Sequence, residues 1–150
     1  MTLDIEELKT KFLNQEFDEQ TYSVTADALV EYARACGELA PRYTDKAHPN
    51  FQAPPTFPSS FNAGRQLPPG FPKLPGLGMD AGKAVSPKQP IRPGVKLTGR
   101  SHLHDIYAKS GRSGRMVFIV IRMEIYDPLG TQLATADTSM VIRERPEATP

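Results

Sequence analysis

One cysteine, Cys36, stands in 150 residues, so the chain can form no internal disulfide, which fits a reducing compartment. An excess of charge is also lacking. Eighteen Lys and Arg face 17 Asp and Glu, and a net charge of +1 argues against nucleic acid, whose binders carry a basic face. Long apolar runs are missing too: the longest, Met116 to Ile121, is far below the roughly 20 residues of a membrane span. The opening MTLDIEEL has no basic-then-apolar leader. These absences lead to the expectation of a soluble, cytoplasmic protein with neither nucleic acid nor membrane as partner. The length suits a single domain over 1–150.

Proline is what the chain holds in excess. Fifteen of 150 residues are Pro, about twice the usual ~5%, and twelve of them lie between Pro41 and Pro93. Each lacks an N–H and restricts its predecessor. The middle third is therefore expected to be irregular, above all 65–93, and a loop this long is usually functional, disordered or packed against a partner.

Outside that stretch the periodicity is clear. Residues near 4–14 predict a helix, with Asp4 as N-cap, Glu7 completing a capping box, and Leu3 and Leu8 placed as a hydrophobic staple. After an extended Thr21–Val24, Thr25 is the N-cap of a second helix. Its residues Leu29, Tyr32, Ala33 and Cys36 recur at helical spacing as a buried stripe, and Gly37 is its left-handed stop. Residues 55–64 are expected to hold a further helix, with Pro55 near its first turn. Three strands then follow: Val95–Tyr107, bent near Gly99 or His104; Arg115–Tyr126, with every odd residue from Val117 to Ile125 apolar; and Thr131–Arg143. Asp127-Pro128-Leu129-Gly130 has the residues of a type I turn, Lys109–Gly114 joins the first two strands, and the tail 144–150 is expected to fray. Helices first and antiparallel strands after give an α+β class.

Several tempting motifs do not hold up. His102 and His104 could face one way on a strand, but no third ligand completes a metal site, so none is expected. The run from Gly76 to Ala84 lacks the first glycine and the Ser/Thr of a phosphate loop. Cys36 has no nearby His and reads as a buried structural thiol. Lys109, Arg112 and Arg115 flank a glycine-rich hairpin, and two readings stay open: contact with ligand phosphates, or an ordinary solvated turn.

The most informative stretch runs from Tyr32 to Phe57. It joins the second helix to Gly37-Glu38-Leu39-Ala40-Pro41-Arg42-Tyr43-Thr44-Asp45 and ends in Ala53-Pro54-Pro55-Thr56-Phe57. With the later Lys88-Gln89-Pro90-Ile91-Arg92-Pro93-Gly94, this order resembles the MaoC-like enoyl hydratases and 3-hydroxyacyl dehydratases, and within them the FAS1-like, N-terminal and non-catalytic hotdog type. The resemblance covers about Tyr22 to Arg143 and implies a curved antiparallel sheet wrapped around a helix. Catalytic members carry Gly-Asp-x-Asn-Pro-x-His-x-Asp, whose Asp and His activate water. Here Gly37, Pro41 and Asp45 match, while the working positions hold Glu38, Ala40 and Tyr43. A tyrosine hydroxyl, titrating near ~10, is a poor general base at neutral pH.

The resemblance thus implies no catalytic residue in this turn. It implies a tunnel-forming subunit whose acyl-lining residues are Tyr32, Ala53, Pro54, Pro55, Thr56, Phe57 and Phe61. The expected partner is a catalytic MaoC-like hotdog subunit, in a heterodimer or a dimer of heterodimers. The expected ligand is an acyl-coenzyme A or acyl carrier protein thioester, as substrate rather than cofactor. The alternatives are a self-sufficient homodimeric hydratase using Glu38 and an acyl-thioester-binding protein without turnover; a hotdog thioesterase is weaker.

Overall fold

Apolar alternation in the last third of the chain, strictest from Val117 to Ile125, accompanies three long strands that form the centre of one antiparallel sheet in the computed structural model, which describes residues 2–144. In chain order the elements are α1 (Ile5–Phe12), β1 (Glu16–Ser23), α2 (Ala26–Ala35), α3 (Pro41–Thr44), a 3-10 turn (Phe57–Ser60), β2 (Gly78–Pro87), β3 (Lys96–Gly111), β4 (Gly114–Tyr126) and β5 (Gln132–Arg143). The sheet order is β1-β3-β4-β5-β2, so β1 and β2 are its two edges.

Local chemistry sets the helix ends as expected. Asp4 Oδ1 accepts from the Glu7 N–H at 3.1 Å, although the Glu7 carboxylate turns to Lys11 and leaves the capping box half made. Thr25 Oγ1 caps α2 by accepting from the Ala28 N–H. Gly37, at φ +74°, ends α2 in a Schellman arrangement: Glu38 N–H donates to Ala33 O and Gly37 N–H to Arg34 O.

The inner face of the sheet carries two apolar clusters. One gathers Leu29 and Val30 of α2 with Phe51, Phe57, Leu97, Met123 and Ile125. The other gathers Leu3 and Leu8 around α1 with Leu103, Ile106, Val117, Ile119 and Ile142. The bend in β3 falls at His104, where the register with β4 shifts between Leu103 and Asp105.

The structure corrects five expectations. Cys36 is exposed, because the covered face of α2 is Leu29, Val30 and Ala33, and Cys36 is the C-cap beyond the last covered turn. Residues 55–64 form only the 3-10 turn, since Pro58 lacks the N–H that an α-helix would need there. The segment 65–93 is not irregular throughout. Leu67, Phe71 and Leu74 fold back onto the second cluster, and the Pro-free run from Gly78 builds edge strand β2 against β5, with a bulge between Asp80 and Gly82. Glu144 is 3% exposed and does not fray, while 145–150 of the expected tail lie outside the described residues. The Lys109–Gly114 connection also proves short, because β3 and β4 pair as far as Gly111 and Gly114. No helix among the described residues is long and apolar enough to cross a membrane.

Candidate functional site

The seam between the two clusters is roofed by chain rather than by a helix. From the 3-10 turn, residues 57–67 run as a strap across the inner face and are pinned at both sheet edges. At β2, Lys83 Nζ donates to Ser59 O at 3.1 Å. At β1, the Tyr22 hydroxyl donates to Asn62 O and the Gly64 N–H donates to Asp18 Oδ2 at 2.9 Å. Burial, and then the Asp18 carboxylate, raise the Tyr22 phenol above its ordinary value, which keeps it protonated as that donor.

Beneath the strap lies a cavity of about 470 Å³, bounded by Phe61, Leu67, Ile119, Ile121, Thr138 and Met140. That size falls within the range of small-molecule sites. An inner extension of about 40 Å³ shares Phe61, Ile121 and Thr138 with it and reaches Met123 and Ser101.

The residues predicted to line an acyl tunnel are drawn together only in part. Phe57 packs edge-on against Tyr32 at 5.2 Å and against Phe61 at 5.3 Å, and Phe61 stacks on Tyr22 at 4.4 Å. The Tyr32 hydroxyl shares a 2.9 Å hydrogen bond with Thr56 Oγ1. Phe61 alone of the predicted set faces the large cavity. Ala53, Pro54 and Pro55 line a separate depression of about 210 Å³ with Pro90, Ile91 and Ala134.

In the Gly37–Asp45 turn, Pro41–Thr44 form the short helix α3. Tyr43 is 7% exposed, with the Arg42 guanidinium 4.8 Å from its ring centre. Ala40 occupies the N-cap of α3 with no side-chain bond to give. No hydrogen bond joins Glu38 to Tyr43 among the described residues. Neither residue borders the cavity under the strap.

The basic trio near the hairpin is dispersed. Arg115 donates to Glu144 and to Leu3 O at 3.0 Å, Lys109 lies 5.4 Å over the Phe118 ring, and Arg112 is exposed at the tip. His102 and His104 hydrogen-bond each other at 3.1 Å, and no group of three metal-ligating side chains exists among the described residues.

Sequence reasoning missed Ser101, Thr138, Lys83 and Tyr22 as parts of the site. The signal for Ser101 was present: it interrupts the inward-facing series Leu97, Gly99 and Leu103 with a hydroxyl.

Comparisons with known proteins agree with this architecture. The family described as FAS1-like, dehydratase domain region matches residues 11–136. A UPF0336 protein of Streptomyces coelicolor is 33% identical over 85% of this chain and 89% of its own, and one from Streptomyces griseus is 30% identical over the same shares. Among solved structures, a MaoC-like dehydratase from Phytophthora capsici superposes with a TM-score of 0.67 at 22% identity over 94% of this chain. This chain spans 53% of that protein, about half its length. The Mycobacterium tuberculosis HadBC (3R-hydroxyacyl-ACP dehydratase) complex gives 0.63 at 18% identity, over 89% of this chain and 99% of its own. The ChsH1-ChsH2 complex of the same organism also gives 0.63, at 16% identity, over 97% and 91%. These likenesses identify the α+β hotdog fold.

Proposed function

The chain belongs to the FAS1-like dehydratase domain region family, and from that premise we propose that it is the non-catalytic, tunnel-forming subunit of a heteromeric hydratase or dehydratase acting on enoyl and 3-hydroxyacyl thioesters. The observation that carries this reading is the separation of cavity from chemistry. The space under the strap could take an acyl chain, while the turn that would supply acid and base holds Glu38, Ala40 and a buried Tyr43.

Adding water across an enoyl thioester needs a base to activate the water and an acid to protonate the α-carbon. It also needs donors at the thioester oxygen. An alanine can do none of this, and a tyrosine hydroxyl is a poor base at neutral pH. On this reading a partner hotdog chain supplies the Asp and His, and this chain supplies the tunnel wall. Apolar burial of the acyl chain against Phe61, Ile121 and Met140 would contribute roughly 25 cal/mol per Å² and fix the thioester against the partner's machinery. Strand β2 suits pairing with a second sheet: it is an edge, and its side chains are almost all exposed. The thioester carrier, coenzyme A or an acyl carrier protein, acts as part of the substrate.

The test is hydration of trans-2-enoyl-coenzyme A, followed by loss of the enoyl absorbance, with this chain alone and then co-expressed with a hotdog protein that carries the intact Asp and His turn. Turnover only in the mixture is the expected result. Robust turnover by this chain alone, abolished in Glu38→Gln, would overturn it.

A further inference from the structure

Under the strap one polar atom is left without a partner. Ser101 is 0% exposed, and its Oγ is the single buried side-chain N or O among the described residues that makes no hydrogen bond. The residue lies in mid-sheet, paired with Asp18 of β1 on one side and Met123 of β4 on the other. It forms part of the wall of the 40 Å³ extension, which shares Phe61, Ile121 and Thr138 with the wall of the larger cavity.

Packing does not require this oxygen. The inward-facing neighbours along β3 are Leu97, Gly99 and Leu103, all buried, and an alanine would leave the same backbone and nearly the same volume. A hydroxyl sealed from water without donor or acceptor is costly, and folded interiors rarely keep one unless a ligand or a bound water completes it. The extension is about large enough for one oxygen-bearing group, since a water's share of liquid is roughly 30 Å³.

We propose that Ser101 is a specificity residue that reads an oxygen on the acyl chain, so that the preferred ligand is an acyl thioester carrying a hydroxyl or keto group beyond its reacting carbons. This rests on the reading of the cavity as an acyl tunnel. A serine hydroxyl both donates and accepts, so it serves an alcohol and a ketone equally. Phe61, Ile121 and Met123 border it together with Lys83 and Asp137, but Lys83 already donates to Ser59 O and Asp137 is paired with Arg122, so the best match for the hydroxyl is a neutral oxygen. A site built to hydrogen-bond a substrate oxygen discriminates against the analogue without it, because its own polar group then stays unpaired.

The test is titration calorimetry of the whole chain, and of Ser101→Ala and Ser101→Cys, with dodecanoyl-coenzyme A and with its 8-, 10- and 12-hydroxy and 10-oxo forms. At least one oxygenated form should bind the natural chain about tenfold more tightly than dodecanoyl-coenzyme A, a difference of about 1.4 kcal/mol. Ser101→Ala should erase that preference while leaving dodecanoyl-coenzyme A binding unchanged or tighter. Ser101→Cys, a weaker donor of similar shape, should keep a fraction of it. Thermal unfolding gives an independent readout: Ser101→Ala should be at least as stable as the parent. A destabilised Ser101→Ala would mean that water already satisfies the hydroxyl, and the proposal would fall. It would fall equally if the preference were absent in the natural chain or survived in Ser101→Ala, with the tunnel reading left standing. If no thioester bound at all, the tunnel reading itself would fail and take this proposal with it.

Discussion

Glu144 offers the sharpest test of how the fold is closed. Its carboxylate is 3% exposed and accepts from the Leu3 N–H at 2.8 Å and from Arg115 Nη1 at 3.0 and 3.1 Å. The same Arg115 nitrogen donates to Leu3 O at 3.0 Å, so one carboxylate and one guanidinium clip the start of α1 onto the ends of β4 and β5. Removing one partner of a buried pair costs about 3–5 kcal/mol, because the other charge is left uncompensated. Arg115 is 32% exposed and can recover some hydration, which brings Glu144→Ala to the lower end of that range or just below it, at about 2–3 kcal/mol. At 2–4 °C per kcal/mol for a chain of this size, the midpoint should fall by roughly 4–12 °C. Glu144→Gln keeps an acceptor for the Leu3 N–H and loses the charge, so about 1–2 kcal/mol is expected. Urea unfolding gives both values, and hydrogen exchange should show α1 amides opening sooner than those of β4. A change below about 0.5 kcal/mol in Glu144→Ala, the scale of ordinary surface substitutions, would refute the clip.

Two further outcomes are expected. In Gly99→Ala the added Cβ would lie 2.6 Å from Met123 Sδ and 2.8 Å from Tyr22 Cε2. The thioether can move but the ring stacked on Phe61 has less room, so overpacking should cost about 1–3 kcal/mol in urea unfolding; an unchanged midpoint would show that the inner face is loosely packed. For His102, burial is the largest influence and lowers its pKa below the ordinary value, with His104 and Arg122 adding to the shift and Glu124 and Asp137 opposing it. The unfolded chain then binds this proton more readily, so the associated stability is present above the unfolded value near ~6.5 and is lost as pH falls towards the folded one. His102→Gln should flatten the stability profile just below that value, and an unaltered slope would count against the shift.

What could be read from the sequence was whatever repeated with a period or sat at a helix end. The inward series of β4, the caps at Asp4 and Thr25 and the stop at Gly37 each rest on local chemistry that tertiary contacts did not override. Strand β2 was hidden for a physical reason: its side chains are exposed on both faces except a half-buried Val85, so no alternation marks it. It exists because β5 offers backbone partners, and a hydrogen-bonding edge leaves no trace in hydropathy. The stripe through Cys36 failed differently. Helical spacing gives the angular position of a residue but not where the covering sheet ends, and Cys36 lies past that limit. The expected helix over 55–64 failed because Pro58 allows a tight turn and no more.

The site shows the same division between local and long-range information. The Gly37–Asp45 turn could be read residue by residue, because its backbone needs are local: a left-handed Gly37 and a Pro41 that opens α3. That frame persists without Asn at position 40 or His at 43, so its backbone does not depend on those side chains. The cavity could not be found this way. Its walls come from the strap, β2, β4 and β5, and they meet only because Tyr22, Asp18 and Lys83 hold residues 57–67 across the sheet. A strap of non-helical chain also fills less of the inner face than a helix about 10–12 Å across would. Pro58, which limits the start of the strap to a 3-10 turn, and the Pro68-Pro69 pair that follows it thus bracket the non-helical chain over the cavity on which the proposed function depends.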